Sequence, residues 1–112
     1  MKEIKAYVHA NRIGEVIAAL KSSAAWGSCT TCNEHNLAVY VVKGSMLPVD
    51  EHERLYSVDL GDEVVNEYKL ELLCEDTHVD ELTSAIRQTA RTGQANAGWI
   101  YVIDVQQAIP IV

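Results

Sequence analysis

The stretch Tyr68-Lys69-Leu70-Glu71-Leu72-Leu73-Cys74 alternates apolar and polar side chains, the period of a half-buried β-strand. Thr77 then opens a helical pattern, with Asp80 three residues on as a capping box. Val79, Leu82, Ile86 and Ala90 share one face of that helix, and Thr92-Gly93 stops it. Trp99-Ile100-Tyr101-Val102-Ile103-Asp104-Val105 follows as a second strand, and Ile109-Pro110-Ile111-Val112 closes the chain as a short apolar tail. The C-terminal part therefore reads strand, helix, strand.

The N-terminal part has the same order. Met1 to His9 alternates, with Ile4, Ala6 and Val8 on one face and Lys5, Tyr7 and His9 on the other. Ile13, Val16, Ile17 and Leu20 form one helical stripe within about Asn11 to Ser22. Asn11 is a candidate N-cap, and Ser22-Ser23 followed by Gly27 ends the element. Cys29 to Thr31 is a candidate short strand, and Leu37-Ala38-Val39-Tyr40-Val41-Val42 a clear one. Glu34 to Val65, broken by Gly44, Pro48 and Gly61, reads as a long excursion, part strand and part mobile loop. The expected fold is α+β: a ferredoxin-like βαββαβ sandwich in a single domain over 1–112, with two helices on one face of an antiparallel sheet. On the other face Tyr7, His9, Trp99 and Tyr101 need cover, which predicts an oligomer.

At 112 residues the chain has the size of one domain, and no apolar run approaches the roughly 20 residues that span a bilayer. No leader pattern opens the sequence, so a cytoplasmic location and no direct membrane insertion are expected. The net charge of −7 has the wrong sign for a phosphate-backbone binder, so nucleic acid is not an expected partner. Between Glu34 and Glu67 eight acids face two bases, which concentrates −6 in the long excursion. Like charge of that density favours an extended arm that docks on a basic surface.

Cys29-Thr30-Thr31-Cys32-Asn33-Glu34-His35 places two thiols and an imidazole at the spacing Cys-x2-Cys-x2-His. Such ligands suit zinc or copper(I), with Glu34, His52 or a residue of a neighbouring subunit as the fourth. The plainer reading is two small buried cysteines after the first helix. Cys74 ends a strand and reads as core; His9 and His78 read as structural or solvated. His52, among Asp50, Glu51 and Glu53, belongs to a solvated acidic run that could also ligate a metal or titrate. Arg87 and Arg91 stand four apart on the second helix; Arg91 is the better candidate anion partner, and a surface ion pair with Asp80 or Glu75 is the plainer alternative. No nucleophile elbow, Walker loop or metallohydrolase spacing occurs, so an enzyme is not expected.

Two stretches resemble the P-II signalling proteins. One is Met1-Lys2-Glu3-Ile4-Lys5-Ala6-Tyr7-Val8 with Arg12-Ile13-Gly14-Glu15-Val16-Ile17-Ala18-Ala19-Leu20; the other is Ile86-Arg87-Gln88-Thr89-Ala90-Arg91-Thr92-Gly93 with Gly98-Trp99-Ile100-Tyr101-Val102. The second is similar to the end of the family's helix, its B-loop and its last strand. The resemblance implies a homotrimer of ferredoxin-like subunits, nucleotide bound in clefts between subunits, and a long T-loop that docks on a membrane transporter or metabolic enzyme. It places a B-loop-like ligand site at Arg91, Thr92, Gly93, Asn96, Gly98 and Trp99. The family's Gly-Asp-Gly-Lys is here Asn96-Ala97-Gly98-Trp99, and two C-terminal arginines of the family fall at Pro110 and Val112. Each lost charge-assisted hydrogen bond removes roughly 1.5–3 kcal/mol, so ordinary ATP binding is expected to be poor. The candidate ligands are an adenine nucleotide, bicarbonate or a soft transition metal. Two functions follow: a trimeric regulator that senses a small ligand and acts through its long loop, or a trimeric metal-binding protein of metal homeostasis that uses Cys29, Cys32 and His35.

Overall fold

Strand β1, Lys2–His9, lies inside an antiparallel sheet because both of its edges are paired. On one side it pairs with β4, Asp62–Cys74, in a register that runs from Lys2↔Cys74 to His9↔Glu67. On the other it pairs with β5, Trp99–Asp104, from Lys2↔Asp104 to Tyr7↔Trp99. Strand β2, Ala38–Gly44, adds to the far edge of β4, giving the order β2-β4-β1-β5. This is the ferredoxin-like arrangement expected from the sequence. The computed structural model describes residues 1–27, 37–49 and 51–112, with Glu51 described by its backbone alone.

Two helices, α1 (Ile13–Ser22) and α3 (Val79–Thr89), cover one face. The alternation in β1 and β4 sends Ile4, Ala6, Val8, Leu70 and Leu72 beneath them, where they meet Val16, Leu20, Leu82 and Ile86. All nine are essentially free of solvent, and each large aliphatic side chain so buried stabilises the fold by about 1.5–3 kcal/mol. Cys74 is buried in this core, as its place at a strand end suggested. Arg12 stitches the helices together: its Nε donates to the Thr89 carbonyl at 2.9 Å, satisfying an acceptor left over at the end of α3.

Both expected caps fail. Asn11 is exposed in a turn, and α1 starts after Arg12, whose N–H donates to the His9 carbonyl at 3.0 Å. Thr77 sits in a 3-10 turn, Asp76–His78, which puts His78 at the cap position of α3. The start of α3 relies instead on Asp80 and Glu81 in its first turn, which complement the helix dipole. Glu81 also accepts the Ala24 N–H at 3.1 Å, at the start of a short helix that the sequence did not suggest, α2 (Ala24–Gly27).

The long excursion differs most from expectation. After β2 and a 3-10 turn, Glu51–Glu53, the chain forms β3, Arg54–Ser57, which pairs with the first residues of β4 from Arg54↔Val65 to Ser57↔Asp62. From Arg54 on, the expected mobile loop is thus a β-hairpin. Gly61, at φ 66°, closes it, and its N–H donates to the Ser57 carbonyl at 2.8 Å. The Ser57 hydroxyl is buried, accepting from Lys43 and from the Leu60 N–H. Residues 34–36 and 50 of the excursion, the candidate strand Cys29 to Thr31, and Asn33 all lie outside the described residues.

The uncovered face carries an aromatic and ionic network. Tyr7 and Tyr101 meet edge to face at 6.0 Å. The Lys69 ammonium sits over Tyr7 at 5.5 Å and over Tyr40 at 5.2 Å, and pairs with Glu71 at 3.2 Å. Trp99 and Tyr101 remain 57% and 47% exposed.

Candidate functional site

The end of α3, the loop 90–98 and the start of β5 fold around a cleft of about 700 Å³. Its wall includes Tyr7, Arg87, Arg91, Gly93, Asn96 and Trp99. Arg87 lies in the last turn of α3, whereas Arg91, expected on the same helix, lies just beyond its end in the loop because α3 stops at Thr89; both line this opening. Neither forms an ion pair with a carboxylate among the described residues, so the alternative pairing with Asp80 or Glu75 is absent there. Two cationic forks beside a glycine-bearing loop give a site suited to an anion.

The loop is shaped by its glycines. Gly93 has φ 86°, a conformation that a side chain disfavours. At Gly98 a Cβ would lie 2.2 Å from the Tyr7 carbonyl oxygen, so only glycine lets the loop approach β1 this closely. Trp99 follows directly and is part of the cleft wall.

Five of the six residues expected from the sequence line the cleft: Arg91, Gly93, Asn96, Gly98 and Trp99. Thr92 lies behind the wall, where its hydroxyl donates to Gln94 Oε1 at 3.0 Å and accepts the Gln94 N–H at 3.4 Å. Sequence reasoning undervalued Arg87 and passed over Gln94 and Tyr7. The i, i+4 spacing carried the signal for Arg87. Nothing local carried one for Gln94, whose side-chain amide donates to the Pro48 carbonyl at 2.9 Å across the molecule.

Cys29, Cys32 and His35 lie outside the described residues, as does Glu34. Among the described residues, no group of three or more His, Cys, Asp or Glu side chains could hold a metal ion. His52, the other candidate ligand, is exposed. No helix among the described residues is long and apolar enough to cross a membrane.

Comparison with known families settles the lineage. The sequence matches the family described as "Nitrogen regulatory protein P-II" over residues 1–111. This chain belongs to the P-II family. Relatives within it bear the same description. The P-II protein of Porphyra purpurea is 28% identical over 111 residues, covering 99% of this chain and 91% of that protein. Those of Microchaete diplosiphon and Nostoc punctiforme are each 27% identical over the same length and coverage. The P-II family is one of nitrogen regulatory signalling proteins rather than enzymes.

Proposed function

We propose that this P-II protein is a trimeric regulator whose cleft takes a small anion and whose hairpin docks on a protein partner. The observation that carries the reading is the pairing of Arg87 and Arg91 on the cleft wall, with no carboxylate holding either among the described residues. The opening also presents Trp99 and Tyr7, aromatic faces on which a base can stack. With Trp99, Pro110 and Val112 in place of cationic groups, the ligand is a nucleoside mono- or diphosphate or bicarbonate rather than a triphosphate. Arg91 is the chief anion partner, and Gly93, Asn96 and Gly98 shape the loop around it.

Output passes through the hairpin. Its exposed side chains are Leu55, Tyr56, Val58 and Leu60, set among Asp59, Asp62 and Glu63, with Arg54 and Glu63 paired at 3.7 Å. An apolar tip ringed by acid fits an apolar groove with a basic rim, on a membrane transporter or a metabolic enzyme in the cytoplasm. The open sheet face, with Tyr7, Trp99 and Tyr101, is the trimer contact.

Calorimetric titration with AMP, ADP, ATP and bicarbonate tests the ligand. We expect AMP, ADP or bicarbonate to bind, ATP to bind more weakly, and Arg91→Ala to cut the affinity roughly tenfold or more, the size of a charge-assisted hydrogen bond. Tight ATP binding that survives Arg91→Ala would place the phosphate site elsewhere.

A further inference from the structure

The β3–β4 hairpin ends in a turn, residues 58–61, whose shape is set before anything meets it. The Gly61 N–H donates to the Ser57 carbonyl at 2.8 Å, and the Leu60 N–H to the Ser57 hydroxyl at 3.3 Å. Outward from this frame stand Val58, 85% exposed, and Leu60, 60% exposed, with the exposed Asp59 between them. Asp59 forms no ion pair among the described residues, and Arg54 of the same hairpin turns to Glu63. A carboxylate flanked by two aliphatic side chains on an ordered turn loses little conformational freedom on docking.

The cleft carries the opposite chemistry. Arg87 and Arg91 are exposed at its opening, and Ala95 and Ala97 form an apolar wall beside them. A carboxylate between two guanidinium groups makes charge-assisted hydrogen bonds. A cleft of about 700 Å³ has room for the leading side chains of a turn. Yet no residue of the hairpin lines the cleft of its own chain. Residues 45–49 run from β2 as a strap, and its Pro48 carbonyl accepts from Gln94 at 2.9 Å, which ties the approach to the hairpin to the cleft loop. The hairpin then runs on past the last β1–β4 pair, His9↔Glu67, held by pairing from Arg54↔Val65 to Ser57↔Asp62. Five residues of strand carry the turn about 17 Å beyond that pair. Folding it back onto its own cleft would break this ladder.

We infer that the hairpin turn of one copy enters the cleft of a second copy, with Asp59 held by Arg87 and Arg91 and Leu60 against Ala95 and Ala97. Charge argues for this occupant. The net −7 sets copies against one another over most of their surface, and the basic opening is where an acidic turn gains. The docking rests on the reading of the cleft as an anion site and gives that site a second occupant: the turn and a small anion compete for the same two arginines. A docked hairpin is withheld from its protein partner, so an anion that fills the cleft also frees the hairpin. One turn buries a small area, which suits weak and reversible association.

Sedimentation velocity of the full chain, from micromolar to several hundred micromolar, tests the docking. The wild-type mass should rise with concentration by up to about twofold, as for a closed pair of assemblies. Asp59→Lys should abolish the rise, and so should Arg87→Glu combined with Arg91→Glu, each leaving the dilute species unchanged. An equimolar mixture of these two variants should associate again, since a reversed turn then meets a reversed cleft. That rescue excludes a misfolded variant. A wild-type mass independent of concentration overturns the docking, as does association that survives either variant or fails to return in the mixture. Calorimetry with ADP on the dilute wild-type protein keeps the two readings apart. ADP binding without self-association overturns the docking alone; self-association with the rescue but no ADP binding overturns the nucleotide ligand alone.

Discussion

Gln94 and Pro48 are 46 positions apart in sequence, yet the Gln94 amide reaches the Pro48 carbonyl at 2.9 Å. This bond joins the loop that walls the cleft to the strap that leads to the hairpin. Any change in the loop's position is therefore felt by residues 45–49, and the reverse holds by linkage. The Met46 methyl against Gly98 gives the same two segments an apolar contact.

Gln94→Ala should uncouple them. Removing the amide costs about 1 kcal/mol, a single neutral hydrogen bond, and leaves the core untouched. Hydrogen exchange should rise in both 45–49 and 93–98. A rise confined to 93–98 would show that the strap does not depend on the loop.

Gly98→Ala should be far more damaging than its size suggests. The new methyl would sit 2.2 Å from the Tyr7 carbonyl at φ 153°, so the loop must leave β1. We expect a loss of about 1–3 kcal/mol by denaturant unfolding, the range for a strained backbone position, together with loss of ligand binding at the cleft. An alanine variant of wild-type stability would contradict the close approach.

Glu71 sets an acid limit to stability. The Tyr40 hydroxyl, donating at 2.8 Å, and then Lys69 hold its carboxyl below the usual carboxylate range. A carboxyl lowered on folding contributes stability above its unfolded value and loses it as pH falls through the folded one. Glu71→Gln should therefore lower the melting temperature at neutral pH, with the difference from wild type shrinking below about pH 4. Equal differences at both pH values would exclude this linkage.

Much of the fold was legible because its signals are periodic. Ile4, Ala6 and Val8 against Leu70 and Leu72 repeat at two, and Val16 with Leu20 or Leu82 with Ile86 repeat at four; periods of that kind depend on burial alone. The caps were misread because Asn11 and Thr77 are chemically suitable but one residue out of place, and position is set by how the preceding strand turns. The hairpin was hidden by its polar composition. Leu55, Tyr56 and Val58 favour a strand, but Gly61 looked like a loop breaker and is instead the residue that closes the turn. Most of the cleft wall lies in the stretch that resembles the family's B-loop. The contacts of residues 45–49 were not legible, because Gln94 meets Pro48, and Glu67 meets Met46, only in the tertiary structure.

Assembly gives the sharpest remaining test. The open sheet face presents Tyr7, Trp99 and Tyr101 side by side, since Tyr7 pairs with Trp99 and Lys5 with Tyr101 in the β1–β5 register. Three aromatic bodies on adjacent strands expose apolar surface that favours burial in an assembly. The charged groups between them are already matched, Lys5 with Glu3 and Glu71, Lys69 with Glu71, so covering them leaves few unpaired ions. The patch is thus suited to burial against copies of itself. Light scattering should give a trimer at micromolar concentration. Tyr101→Ala should shift it toward monomer, with a loss of about 3–5 kcal/mol if the ring is fully buried in the assembly. Tyr56→Ala, at the hairpin tip, should leave the trimer intact. A stable wild-type monomer at the same concentration would refute the trimer and leave the aromatic face to be covered by another protein.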